Sequence, residues 1–250
     1  MADDLVSVPE AAAMLGVNRI RVFERIKEGS LPAEKVGNRW AIHKSDVRRI
    51  VHHAGAGRPL SPKSSWDLLA VAGDCKASEL SRSARSRANA RLRELLDQAS
   101  SAVLDDVVVT LGSALRNRAV RSLYIASPRD VPDVRNDPRV HLSGVSLPES
   151  NMAAGEVAEG YVLSADLEAL VDGFLLSPAR RPDANVILHV VDSPIEHPAI
   201  AALDKLAGSP LALAADLAEY DGVREKAEAV RLLADVQAQV QSRRPGAVHD

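Results

Sequence analysis

Within residues 8–50 the run "VPEAAAMLGVNRIRVFERIKEGSLPAEKVGNRWAIHKSDVRRI" holds two helical patterns, a Gly-containing turn, a Gly-tipped extended pair and a third helix start. So much punctuation in so short a stretch leaves room only for a small unit built from short amphipathic pieces. Ser7 and Glu10 form S-x-x-E, a capping-box signature, with Pro9 in the first turn where it is tolerated. Ala12, Leu15 and Val17 supply an apolar face, and Gly16 ends the first helix as a residue that accepts positive φ. Asn18 then caps a second helix over residues 19–28, which Gly29 closes. Val22 and Ile26, four apart, mark its buried stripe, so the order is helix, short turn, helix.

The helical repeat of about 100° per residue places the rest of the second helix. With Val22 and Ile26 inward, Ile20, Arg21, Glu24 and Lys27 point out, and Arg19, Phe23 and Arg25 lie on the flanks. Arg21 and Lys27 are placed to reach nucleic acid directly, and Arg19 and Arg25 to reach phosphates from the sides, since the arginine fork is long and bidentate. "AEKVGNRWAI" then reads as a hairpin with a Gly37-Asn38 tip, a wing. Trp40 and Ile42 alternate onto one face, so Trp40 is expected to plug the core of the unit rather than stack on a base. Lys35 and Arg39 are the wing residues expected to reach the DNA backbone or minor groove, and Asn38 and Lys44 complete the candidate DNA-binding set. Ser45-Asp46 caps a third helix, with Val47 and Ile50 inward and Arg48 and Arg49 outward.

This stretch resembles the excisionase-like, MerR-related winged helix-turn-helix domains. The resemblance rests on Ser7-Val8-Pro9-Glu10-Ala11-Ala12, Leu15-Gly16-Val17, Gly29-Ser30-Leu31-Pro32 and Gly37-Asn38-Arg39-Trp40, in order and at matching spacing. It implies a domain that binds double-stranded DNA. Phe23-Glu24-Arg25 departs from the family, which more often has an aromatic followed directly by Arg, and leaves the role of Arg25 open.

The remaining chain is long enough for a second core. The single cysteine, Cys75, forms no intrachain disulfide, and no apolar run approaches the roughly 18–20 residues needed to span a bilayer; a cytoplasmic, nucleoid-associated protein is expected, with no membrane partner. The net charge of −3 conceals an asymmetry. Residues 1–139 carry 23 Lys+Arg against 17 Asp+Glu, a balance of +6, and residues 140–250 carry 8 against 17, a balance of −9. A basic front fits nucleic acid, and an acidic back fits protein contact or solubility. "HHAGAGRPLSPKSS" (52–65) breaks the composition and sets a boundary near residue 58. His52 and His53, adjacent and without acid or Cys partners at ligand spacing, do not form a metal site. Between Ser81 and Arg93 five arginines occur with no acid. That segment is either a solvated helix face, with Leu92, Leu95 and Leu96 buried, or a second basic surface along DNA phosphates.

Three domains are expected: a winged helix-turn-helix over 1–58, a linker and basic helical segment over 59–100, and an α/β partner-binding or dimerisation domain over 101–250. The fold class is α+β, the C-terminal domain having a small sheet. Strands are expected at 120–126, 138–144 and, most clearly, 185–192, whose branched run predicts burial on both faces. "EGYVLSADLEALVDGFLLS" starts extended and turns helical at Ser164, and a long helical stretch after Pro210 breaks near Tyr220-Asp221-Gly222. No nucleophile elbow, P-loop or dinucleotide fingerprint occurs, the acids show no dyad spacing, and His189 inside an apolar strand reads as a hydrogen-bonded core histidine. No enzyme, catalytic residue, metal or cofactor is expected.

Arg121 to Pro128, Asp137 to Gly144, Asn185 to Val191 and Asp216 to Glu225 resemble the C-terminal region of actinobacterial AbiEi-like antitoxins, helix-turn-helix proteins encoded beside a nucleotidyltransferase toxin. "SGVSLPESNMAAG" departs from that family's small residues after Ser-Gly. The resemblance implies a DNA-binding repressor of its own toxin–antitoxin operon, with the toxin or a second copy of the chain as partner. A ligand-responsive transcriptional regulator, an enzyme with a DNA-targeting head, and an accessory DNA-binding factor in recombination or segregation are the alternatives.

Overall fold

A computed structural model describes residues 5–37, 39–44, 46–47, 59–101, 104–152, 155–181, 183–192 and 197–243. The chain divides into two compact units, residues 1–57 and 58–250.

The first unit runs β1 (Leu5–Ser7), α1 (Val8–Leu15), α2 (Arg19–Lys27), β2 (Glu34–Val36) and β3 (Arg39–His43). Both predicted helix starts form. At α1 the capping box is complete: the Ser7 amide donates to Glu10 Oε2 at 2.8 Å and the Glu10 amide donates to Ser7 Oγ at 3.5 Å. Gly16, at φ 63° and ψ 28°, ends the helix in the left-handed region. Asn18 Oδ1 accepts from the Arg21 amide at 2.9 Å to start α2. The three strands form an antiparallel sheet in the order β1-β3-β2, so the hairpin gains a third strand from the residues just ahead of α1. The core is Val6, Val8, Ala11, Ala12, Val22, Leu31, Ile42 and Val47, with Ile26 and Trp40 packed against it. The end of the predicted third helix, from Arg48 on, and His52 and His53 lie outside the described residues.

The second unit is a five-stranded mixed sheet between two helical layers. Its elements are α3 (Pro62–Ala72), α4 (Arg82–Ser101), α5 (Leu104–Leu115), β4 (Val120–Ile125), α6 (Val131–Asn136), β5 (His141–Leu142), β6 (Ala158–Leu163), α7 (Ser164–Gly173), β7 (Ser177–Pro178), β8 (Val186–Val191), α8 (Leu203–Ala207), α9 (Pro210–Leu217) and α10 (Val223–Ser242). The strand order is β5-β6-β8-β4-β7, with β6 and β8 parallel and the other pairs antiparallel. One sheet face packs on α6 and α7 through Ala158, Val162, Val186, Leu188 and Val190. The other, through Tyr161 and Val191, joins a larger core with α3, α4, α5, α9 and α10. Every residue of β8 is buried, as the branched run predicts.

Two expectations change. Residues 59–100 are not a linker to the C-terminal domain: α3 is buried from Ser65 to Ala72, and Ala84, Ala88, Leu92, Leu95 and Leu96 of α4 close on the same core. Apolar residues four apart put one face of α4 in that core even though five arginines dominate its composition. The strand expected over 138–144 shrinks to His141–Leu142, because Asp137 anchors a turn: its carboxylate accepts from the Arg139 amide at 2.9 Å and from the Arg139 guanidinium at 2.8 and 2.7 Å. No expectation covers α5, β1 or the edge strand β7.

Candidate nucleic-acid interface

The helix α2 presents the candidate surface. Val22 is fully buried, which fixes the rotation of the helix and leaves Arg19, Arg21 and Lys27 exposed, as the helical repeat predicts. Arg21 makes only a loose contact with Glu24 at 4.0 Å, both side chains being more than half exposed, and such a pair holds neither residue away from a ligand. Arg25 is half-buried at the end of α2, where its carbonyl accepts from the Leu31 amide at 3.1 Å and from Ser30 Oγ at 3.2 Å. Two apolar side chains of α2 are claimed by no core: Ile20 on the outward face is 68% exposed, and Phe23 on the flank is 47% exposed.

The wing turns at Gly37, φ 62°, a conformation that a residue with Cβ adopts at a cost. Its register pairs Lys35 with Trp40 and Val36 with Arg39. Cross-strand partners share a face, so the exposed Lys35 and Arg39 leave the ribbon on opposite sides and do not act as one patch. Trp40 lies half-buried over the Ile42 side of the wing, in the role of a core plug. Lys44 is half-buried and contributes to the field on Glu10, whose carboxyl is held below the usual range chiefly by the Ser7 amide and then the Ser7 hydroxyl. Asn38 lies outside the described residues.

A buried polar cluster in the second unit has no counterpart among the sequence expectations, apart from His189. The register sets Arg121, His189 and Tyr161 side by side across β4, β8 and β6, with Glu159 two residues earlier on the same face as Tyr161. Arg118, 1% exposed, donates from Nε to Tyr161 Oη at 2.7 Å, from Nη1 to the Leu115 carbonyl at 3.0 Å, and from Nη2 to Asp216 Oδ1 at 2.5 Å and Glu219 Oε1 at 2.7 Å. His189 Nε2 lies 3.0 Å from Glu159 Oε1 and 3.6 Å from Asp216 Oδ1, with its ring stacked on Tyr161 at 5.0 Å. Tyr220 Oη donates to Glu159 Oε2 at 2.7 Å, and the Arg121 guanidinium packs on the Tyr220 ring at 4.9 Å. The buried Ser143 Oγ lies within hydrogen-bond reach of both the Ala207 carbonyl and Asp216 Oδ2, and its one proton serves either of them. Burial pushes the Glu219 carboxyl up, but the charges of Arg118 and Arg121 outweigh it and hold the group at about 2.

Within this cluster each charge faces an opposite one, which ties β4, β6 and β8 to α9. Sequence spacing could not find it, because its members come from separate elements, and one of its hydrogen bonds joins residues 101 positions apart. Among the described residues no group of His, Cys, Asp and Glu has metal-binding geometry, and no helix is long and apolar enough to cross a membrane.

Capped helix, short turn, exposed basic helix and a three-stranded wing define the first unit as a winged helix-turn-helix. In agreement, a protein-family model described as a helix-turn-helix domain matches residues 5–51. No curated protein and no solved structure matches the chain. The family match stops short of the second unit, so the antitoxin resemblance over residues 121–225 finds no support from it.

Proposed function

We propose that the chain is a sequence-specific DNA-binding transcriptional repressor that reads duplex DNA through α2. The observation that carries this is the exposed side of α2: Arg21 and Lys27 stand out beside Ile20, with Arg19 and Phe23 exposed on the flank, a combination that suits a major groove lined by phosphates and thymine methyls. Arg39 on the wing positions the head on the backbone, a contact that carries no sequence information. The finer reading is an AbiEi-like antitoxin that represses its own operon and meets a nucleotidyltransferase toxin or a second copy of itself through the second unit. Its support is the four motifs, whose Arg121, Ser143, Asp216 and Glu219 fall in the buried cluster. Those residues specify a core, so any partner surface lies elsewhere on the unit.

The test is selection from a random duplex library with the full chain, followed by binding of the variants. Arg21→Ala is expected to weaken binding and change the selected sequence, and Arg39→Ala to weaken it evenly across sequences. A chain that retains no duplex at low salt refutes the reading. For the finer reading, the full chain is mixed with the product of the adjacent gene and the mass is measured by light scattering. A chain that stays monomeric and ignores that product removes the antitoxin role while leaving DNA binding intact.

A further inference from the structure

We propose that α4 is a second DNA-contacting surface, one that grips the phosphodiester backbone independently of the winged head. Helix α4 buries Ala84, Ala88, Leu92, Leu95 and Leu96 and turns Arg82, Arg85, Arg87, Arg91 and Arg93 outward, all five exposed. None of the five forms an ion pair with a described residue, unlike Arg118, Arg139 and Arg231 of the same unit. Five exposed cations on one helix repel one another, and an anionic partner offsets that repulsion. At about 100° per residue, Arg82, Arg85 and Arg93 share an arc of about 80° on one flank, and Arg87 and Arg91 one of about 40° on the other. Between the two rows the helix carries small side chains, Ser83, Ser86 and Ala90, which let a partner approach closely; Glu94 and Asp97 end the strip.

The charge stands out against its surroundings. Outside the stretch from Ser81 to Arg93, residues 58–250 carry 17 Lys+Arg against 27 Asp+Glu, whereas that stretch has five arginines and no acid. An acidic body repels DNA except where a basic island faces it, so the island sets the orientation of approach. The dimensions agree. From Arg82 to Arg93 the helix rises about 16–17 Å at 1.5 Å per residue. Over that length a duplex presents about five phosphates on each strand. Phosphate contacts carry no sequence information, so this surface adds affinity without a fixed register relative to the bases read by the head.

The experiment measures the salt dependence of duplex binding by the full chain and two variants, Arg82→Gln/Arg85→Gln/Arg93→Gln and Arg87→Gln/Arg91→Gln. The slope of log Kobs against log[salt] is expected to shrink by about 0.9 per lost phosphate contact, so by about 2.7 in the first variant and about 1.8 in the second. Raising salt from 50 to 200 mM then costs the first variant about 40-fold less than the parent. Selected sequences stay the same, thermal unfolding is unchanged, and Arg→Lys at the same positions keeps the parent slope. Slopes that match the parent in both variants, with head binding retained, overturn this proposal alone and turn attention to an acidic protein as the occupant. A parent chain that binds no duplex overturns it together with the head's DNA reading.

Discussion

Arg118→Met tests whether the buried cluster holds the second unit together. The arginine is 1% exposed and donates to four acceptors, the Tyr161 hydroxyl, the Leu115 carbonyl, Asp216 and Glu219. Methionine fills much of the same space and supplies no donor. Asp216, fully buried, then faces Glu159, His189 and Glu219 with its main counter-charge gone. Removing one partner of a buried pair costs about 3–5 kcal/mol, because the charge left behind stays desolvated. With a urea m-value of about 2 kcal/mol/M, the midpoint falls by about 2 M. The chain offers a clean reporter: its two tryptophans, Trp40 and Trp66, lie one in each unit, and Trp66 meets the Tyr161 ring edge-on at 6.2 Å. In a Trp40→Phe background, Trp66 fluorescence follows the second unit alone. Arg118→Lys should recover less than half of the loss, since an ammonium cannot fork across four acceptors. A midpoint shift below about 0.5 M for the methionine variant, with an unchanged m-value, refutes the reasoning and makes the cluster dispensable.

Trp40→Ala, removing a half-buried wing plug, should cost the first unit about 2–3 kcal/mol, less than the 3–5 typical of a fully buried aromatic; a normal melt with lost DNA binding points instead to base stacking. Acid should destabilise the second unit: Glu219 sits at about 2 in the folded state against about 4.3 unfolded, so its contribution is full above the unfolded value and is lost as pH falls from about 4.5 to 2, by up to about 3 kcal/mol. Urea midpoints at pH 6 and 3 in parent and Glu219→Gln check this, the variant being expected to lose less. Leu175, 84% exposed and at φ 50° just past α7, holds a left-handed position that suits glycine, so Leu175→Gly should stabilise by about 0.5–1 kcal/mol in a thermal melt.

Short-range chemistry made the first unit legible. Capping at Ser7 and Asn18, the left-handed Gly16 and Gly37, and the Val22–Ile26 stripe are all decided within a few residues, so the helix-turn-helix and the exposure of Arg19, Arg21 and Lys27 follow from local rules. The opposition of Lys35 and Arg39 did not follow, because it depends on hairpin register rather than on spacing along either strand. In the second unit the continuous apolar run of β8 was plain, while its neighbours were not: β6 pairs with it in parallel across more than twenty intervening residues. Nothing in the local sequence marks Arg118, Glu159 and Asp216 as buried partners; the turn after α5, strand β6 and α9 bring them together.

The same charges settle an ambiguity that apolar packing leaves open. Strand β8 is buried on both faces, and Val, Ile and Leu fill either side about equally well. A slide of one residue along β6 would therefore cost little in lost greasy contact. It would, however, turn His189 away from Glu159 and Asp216 and into the layer of Val162 and Leu170, and strand Arg121 beside the wrong rung. The cluster thus works as a key cut into an otherwise featureless blade: it admits one alignment of β4, β6 and β8, and so fixes the frame from which α4, α9 and α10 take their places.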